Sequence, residues 1–280
     1  MSDHEHWQLD GSAPELYERY LVPAITLIWA SDLIERAKPG PTEHMLDVAC
    51  GTGAVTRLAA QRATRGRVVG LDYNAGMLDV ARSIPTTDAA IEWLEGSALS
   101  LPFADQTFDL ILCQLGLQFF PDRPLALREM RRVLRRQGRV ALSVYSPIER
   151  TPAAHAFVLA LDEQLGPDAS KIKRAEHLFS SPQEVATLLE DAGFEQAEVS
   201  TVTKQITFPS VLDYVRFQLI ATPMASLLGG RSDTAREVDI RQIGSRTEDH
   251  LAPEMLVGGR LCFPQEAYVA TAVRAGSTTP

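Results

Sequence analysis

The stretch at residues 45–55, MLDVACGTGAV, constrains this chain more than any other. An apolar run interrupted only by Asp47 ends in Gly51 and Gly53, and a hydrophobic pattern restarts at Ala54 and Val55. A buried strand that passes into a helix through such a turn presents bare main chain, because a glycine admits conformations and close approaches that a Cβ blocks. The first turn of the next helix adds N–H groups with no partner inside the helix. Phosphate and dinucleotide sites use this device; a plain tight turn is the alternative.

Neighbouring residues narrow the ligand. Asp72, in VVGLDYN, ends the next strand 19 residues after Gly53, where an acidic side chain can accept from both hydroxyls of a ribose. Its other use is to cap the helix that follows. A dinucleotide fold calls for a third glycine three residues after Gly53, where Thr56 stands. A P-loop calls for Lys and then Ser or Thr after its second glycine, where Ala54 and Val55 stand, and the loop holds no basic residue. The expected ligand carries a ribose and no pyrophosphate, which counts against an NAD(P)-dependent oxidoreductase.

Hydrophobic periodicity predicts a helical first 40 residues, closed by the breaker KPGP, and then an alternation of strands and helices. Strands are expected over 45–50, 67–72, 91–95, 108–114 and 139–145, with helices over 54–63, 75–83 and 124–135. That rhythm builds a parallel sheet covered on both faces. After Pro147 come helices over 153–165 and 182–192 and a strand over 195–204. Two helical stretches follow, FPSVLDYVRFQLIATPMASLLGG and RSDTAREVDIRQIGSRTEDHL, and EAYVATAVRA alternates as a closing strand. About sixty residues between the last two strands are too many for a hairpin loop, so a helical insertion above the sheet's carboxyl edge is expected.

The chain is 280 residues long, with 45% hydrophobic and 22% charged residues, as in a soluble globular protein. A net charge of −9 argues against nucleic acid as a partner. The dense basic run RPLALREMRRVLRRQGR reads as an amphipathic helix with a solvated arginine face. Cys50, Cys113 and Cys262 show no metal-ligand or CxxC spacing, which fits a reducing cytoplasm. LVPAITLIWA is too short to span a bilayer, so no stable membrane insertion is expected.

LDVACGTG, VVGLDYNAGML, EGSALSLPFADQTFDLILCQLGLQFFPD and ALREMRRVLRRQGRVALSVY together resemble the successive motifs of the class I S-adenosylmethionine-dependent methyltransferases. The branch with the ubiquinone and menaquinone methyltransferases is the most similar. The resemblance covers residues 17–145 and extends to LLEDAGFEQAEV. It implies an α/β Rossmann-like fold: a seven-stranded, mostly parallel sheet of order 3-2-1-4-5-7-6 with helices on both faces. It divides the chain into an N-terminal helical cap (1–40), a cofactor-binding core (41–147), and the rest of the sheet (148–280) with cap insertions at about 148–180 and 208–263.

The same resemblance implies a site residue by residue. Asp47, Ala49, Gly51 and Gly53 match the motif against the methionine part of S-adenosylmethionine. Asp72 matches the acid that binds the ribose hydroxyls, Tyr73 and Met77 flank the adenine, and Ser97 and Ala98 meet its edge. An aspartate is usual where Ser97 stands, and a hydroxyl accepts less strongly than a carboxylate. Tyr20 and Gln114 complete the expected cofactor contacts.

Methyl transfer asks mainly for alignment and exclusion of water. Tyr17, Tyr20, Phe119 and Phe120 are candidates to face the sulfonium. Gln118, His155 and Tyr20 are weak catalytic candidates; Gln118 can orient an oxygen but not act as a base. His177 and His250 read as surface residues, and His4 and His6 as part of a polar tail, so no base is assigned. The apolar cap segments suggest a small, partly apolar organic acceptor methylated on oxygen or carbon. The protein is expected to be a cytoplasmic monomer or homodimer. A methyltransferase-like protein that binds the cofactor without transferring its methyl group is the other reading.

Overall fold

The computed structural model describes residues 12–86 and 91–276; His4 and His6 lie outside them. Five parallel strands form the first half of the sheet: β1 His44–Val48, β2 Arg67–Asp72, β3 Ile91–Glu95, β4 Phe108–Gln114 and β5 Leu134–Tyr145. The long β6 Phe194–Phe208 and β8 Arg260–Arg274 pair antiparallel with each other, and β8 pairs antiparallel with β5. The order is β3-β2-β1-β4-β5-β8-β6, with a two-residue β7, Leu256–Val257, paired to β8. Without β7 this is the expected order 3-2-1-4-5-7-6; the eighth strand is an addition. Gly258 and Gly259, both at positive φ, close the β7–β8 hairpin, the conformation a two-residue turn of this hand requires.

Helices cover both faces. The chain opens with α1 Ala13–Leu16, a π-helical segment Tyr17–Thr26 and α2 Leu27–Ala37. Then come α3 Ala54–Arg62, α4 Ala75–Ser83, α5 Arg123–Val133, α6 Pro152–Leu165, α7 Lys171–Ala175, α8 Pro182–Asp191, α9 Val211–Ile220 and α10 Asp233–Asp249. Alternation along the strands feeds two cores. Met45, Leu110 and Leu112 pack with Trp29, Val55 and Phe157 on one face, and Leu46, Phe108 and Ile111 pack with Leu127, Met130 and Leu189 on the other.

Three segments depart from the periodicity reading. The basic run is helical only through Val133, and β5 begins at Leu134. Its arginines are not simply solvated: Arg135 pairs with Asp109, and Arg139 binds Glu43 and the carbonyl oxygens of Ala37 and Lys38, capping the end of α2. The last long strands extend past their alternating centres, because Ile206, Phe208, Leu261 and Phe263 are all buried; residues 209–259 then form the insertion. Within it α10 packs on α6 and α9.

The third departure is the π-helix. Tyr17 Oη and Thr26 Oγ1 lie nine positions apart and meet at 3.0 Å. In an α-helix of 3.6 residues per turn, nine positions make about two and a half turns and place the two side chains on opposite faces. The wider i→i+5 winding brings them to the same face.

Trp93 explains two glycines. β2 and β3 pair Gly70 with Trp93, and a Cβ on Gly70 would lie 2.6 Å from the indole. A Cβ on Gly53 would lie 2.2 Å from the same ring. The indole therefore spans the end of the glycine turn and the neighbouring strand. Gly70→Ala should destabilise the protein by about 1–3 kcal/mol through overpacking. In denaturant unfolding, Gly70→Ala combined with Trp93→Ala should cost less than the sum of the single changes; strict additivity would show that the indole does not set the fit.

Candidate active site

A cavity of about 820 Å³ opens above the carboxyl ends of β1, β2 and β4. The sheet order reverses between β1 and β4, and open α/β sheets bind ligands at such a switch point. The turn out of β1 forms one wall. Ala49 and Gly51 there adopt left-handed φ of 59° and 56°, and Leu115, at the end of β4, has φ 51°. Left-handed conformations at non-glycine residues are held by their surroundings and cluster where a ligand is gripped. No atom lies within 4 Å of where a Cβ on Gly51 would be, so this glycine presents open main chain to the cavity.

Asp72 fastens that turn. Its Oδ2 accepts from the Gly51 N–H at 2.7 Å and its Oδ1 from the Asn74 N–H at 2.8 Å. Asn74, rather than Asp72, caps α4, accepting from the N–H groups of Gly76 and Met77. The Asp72 carboxylate thus stays at the cavity wall with its orientation fixed and lone pairs to spare. Tyr73, 81% exposed, and Met77 stand beyond it, and Ser97 and Ala98 close this end. The Ser97 hydroxyl accepts from the Leu99 N–H at 3.1 Å.

Asp47 lies deeper. Thr56 Oγ1 donates to its Oδ2 at 2.6 Å, while Oδ1 is buried without a hydrogen-bond partner. Burial, and then the nearby Asp72 charge, pushes its carboxyl up to about 7 against the opposing bond from Thr56. An unpartnered carboxylate oxygen facing a cavity is suited to a cationic group. With the bare main chain at Gly51 and the fixed carboxylate of Asp72, it makes a donor and acceptor set that fits an amino acid joined to a nucleoside.

Of the residues expected at the site, Asp47, Ala49, Gly51, Asp72, Tyr73, Met77, Ser97, Ala98, Gln114 and Gln118 all line the cavity. Gly53 is not in its wall and packs on Trp93 instead. Tyr20 is also absent from the wall, its ring stacked 4.2 Å from that of Phe217. Tyr17 takes the inward position together with Leu21, Ile25 and Thr26. The π-winding adds Thr26 to the face that Tyr17 shares with Leu21 and Ile25, a placement that α-helical spacing would not give. Gln114 ties this cap to the sheet by donating to Thr26 O at 3.1 Å. Arg57 ties it to the turn, reaching Thr52 O at 2.5 Å and Glu18 at 2.8 Å.

His155 does not line the cavity. His250, exposed just past the end of α10, bonds Glu163 at 2.9 Å. His177 is a correction: it is buried, not a surface residue. Its Nδ1 lies 2.8 Å from Ser146 O, its ring stacks on Tyr145, and burial followed by the Lys173 charge pulls its pKa down to about 3. Sequence reasoning also missed a second polar part of the cavity wall, which includes Tyr145, Lys173, Glu176, Tyr214, Gln218 and Gln265. Lys173 and Glu176 form a buried ion pair at 2.6 Å. The charges in KIKRAEH have the pattern of a solvated helix face, and only the tertiary fold turns two of them inward.

The geometry is that of a class I nucleoside-cofactor fold, and the comparisons give the family. Residues 46–142 match the family model described as a methyltransferase domain. Over 163 residues the chain is 39% identical to a 2-phytyl-1,4-naphtoquinone methyltransferase of Thermosynechococcus vestitus, covering 55% of this chain and 72% of that protein. It is 32% identical over 182 residues to a demethylmenaquinone methyltransferase of Lactiplantibacillus plantarum, covering 60% of this chain and 76% of that one. The solved structure of the YcgJ protein of Bacillus subtilis shares the fold, with a TM-score of 0.57 at 21% identity over 89% of this chain and 99% of that one. The chain belongs to the class I S-adenosylmethionine-dependent methyltransferases, in the branch of the ubiquinone and menaquinone methyltransferases. It is a methyl-transferring enzyme whose cofactor is S-adenosylmethionine.

The raised Asp47 carboxyl has a measurable sign. Its pKa of about 7 in the folded chain exceeds the unfolded value, so ionisation costs stability. That cost is absent below about pH 4, grows by roughly 1.4 kcal/mol for each pH step of one up to about pH 7, and levels off above it. Asp47→Asn keeps an oxygen for Thr56 and removes the charge. Urea unfolding of the ligand-free protein should show this variant more stable than the parent by a few kcal/mol at pH 8 and by only about 1.4 kcal/mol at pH 5. A variant less stable than the parent at pH 8 would contradict this sign.

Proposed function

We propose that this enzyme methylates a small ring compound with an apolar body and an oxygen function, on that oxygen or on a conjugated carbon. The two relatives above are named for naphthoquinone and menaquinone substrates. The cavity suits such an acceptor: Leu21, Ile25, Ala221 and Pro223 supply apolar wall, and Lys173, Glu176 and Gln218 supply polar groups. We place the protein in the cytoplasm, where its three free cysteines stay reduced. Among the described residues no helix is long and apolar enough to cross a membrane.

The observation that carries the reading is Asp72, held by two main-chain N–H groups beside the bare Gly51. In this account Asp72 receives the ribose hydroxyls, and Asp47 and the turn at Ala49 and Gly51 receive the methionine part. Tyr73 and Met77 flank the adenine, with Ser97 and Ala98 at its edge. Bound S-adenosylmethionine supplies an activated methyl on a sulfonium. The chain aligns the acceptor with that methyl and excludes water. Tyr17 is placed to do both: its phenol is tied to Thr26, and burial is the main reason its pKa is raised, so it stays neutral. Gln118 is buried, and its side-chain oxygen and nitrogen both lack partners, leaving it able to orient the acceptor.

Asp72→Asn preserves one acceptor oxygen and removes the charge. S-adenosylmethionine binding, measured by calorimetry, should weaken by about 2–4 kcal/mol, since a hydrogen bond to a charged group is worth roughly 1.5–3 kcal/mol and two are affected. Circular dichroism should show an unchanged fold. Parent-like affinity in the folded variant would remove Asp72 from the cofactor site.

A further inference from the structure

α7 lies outside the segment that matches the methyltransferase family model, yet it delivers Lys173, and just beyond its end Glu176, to the cavity. Both side chains are under a tenth exposed and their charged atoms meet at 2.6 Å. Burying an ion pair costs more desolvation than its attraction commonly returns, and an apolar pair of similar size would serve stability as well or better. A structural role alone therefore leaves this pair unexplained. The groups around it are polar as well. Tyr17 from the cap, Tyr145 from β5 and Tyr214 from α9 all feel the Glu176 charge, which adds to the larger effect of burial in raising their phenols. Gln265 bonds Tyr145 and accepts from the Trp29 indole at 2.7 Å. Gln218, 3% exposed, has its Oε1 in the buried interior without a partner. His177 stacks behind Tyr145 and, held down by burial, stays neutral.

We propose that Glu176 and Lys173 grip the hydroxyl of the methyl acceptor, with Glu176 as the group that takes its proton, so that the acceptor is a phenol, enol or hydroquinone. This rests on the methyltransferase reading. Lys173 donates to the acceptor oxygen, and the Glu176 carboxylate accepts from its hydrogen. As the acceptor's oxygen or a conjugated ring carbon bonds to the methyl carbon, the methyl–sulfur bond breaks and its electron pair stays on sulfur. Positive charge then builds on the hydroxyl oxygen and acidifies it, so a carboxylate is a strong enough base. The O–H bond breaks, its pair remains on oxygen and the proton moves to Glu176. When carbon is methylated, the ring carbon afterwards releases its proton to water and the proton on Glu176 restores the hydroxyl. When oxygen is methylated, the proton leaves from Glu176 to solvent with the product. Either route releases one proton per turnover.

Two measurements test this, using 1,4-naphthohydroquinone kept reduced under anaerobic conditions. Binding to the protein saturated with S-adenosylhomocysteine is compared with that of the dimethyl ether of the same compound. The parent should prefer the hydroquinone by at least about tenfold, and Glu176→Gln and Lys173→Met should each abolish the preference. The double variant Lys173→Met/Glu176→Leu removes both charges together and serves as the folded control if a single change unfolds the chain. Formation of S-adenosylhomocysteine with the hydroquinone should fall by about 10²–10⁴ in kcat for Glu176→Gln, with S-adenosylmethionine affinity within about threefold of the parent. No preference in the parent, no binding of either compound, or a folded Glu176→Gln with parent-like kcat would each overturn the proposal. A parent that fails to bind S-adenosylmethionine would instead overturn the functional reading beneath it, and that titration is run first.

Discussion

The bond from the Gly51 N–H to Asp72 holds the rest of the site together. The chain leaves β1 through left-handed residues at Ala49, Gly51 and Gly53, a path no unsupported segment would keep. Asp72, at the end of the adjacent β2, catches its middle and at the same time fixes Asn74 at the start of α4. Two successive strand-to-helix turns thereby acquire one geometry. Trp93 from β3 completes the support from the other side by filling the space beside Gly53 and Gly70. The turn out of β1 is thus held by contacts from the next two strands, β2 and β3.

Around that wall, buried polar groups are left incompletely bonded. Asp47 Oδ1, Gln114 Oε1, both polar atoms of Gln118 and Gln218 Oε1 are buried with no partner, and all four side chains line the cavity. Leaving such groups unbonded weakens the ligand-free protein by about 1–3 kcal/mol each, so their gathering in one place marks a surface shaped for ligands rather than for folding. Asp47 shows the conflict most clearly, since burial disfavours its ionised form.

Much of this was legible in the sequence. The glycine turn, Asp72 at the next strand end and the alternation of elements predict a parallel sheet covered on both faces and the strand edge that carries the cavity, while the sheet order follows only from the family resemblance. The two-residue β7 was missed because VGGR is a short hairpin signal inside a long insertion. Three other features were hidden for physical reasons. Helical winding in Tyr17–Thr26 brings Thr26 to the face of Tyr17, and no period-3.6 pattern reports it. Gly53 answers to an indole forty residues along the chain, a contact that exists only once β3 has docked. Lys173, Glu176 and His177 look solvated by composition and are buried only in the tertiary fold, which brings α7 to the cavity wall.

In the proposed function, one cavity holds the cofactor at the β1 turn and the acceptor beneath the N-terminal cap. Hydrogen exchange with and without S-adenosylmethionine tests it directly. Slower exchange is predicted at 49–54, 72–77 and 97–99, and within the Tyr17–Thr26 segment that closes over them, with little change in α10, which contributes nothing to the cavity wall. Tight binding of S-adenosylmethionine with unchanged exchange at 49–54 and 72–77 would contradict it.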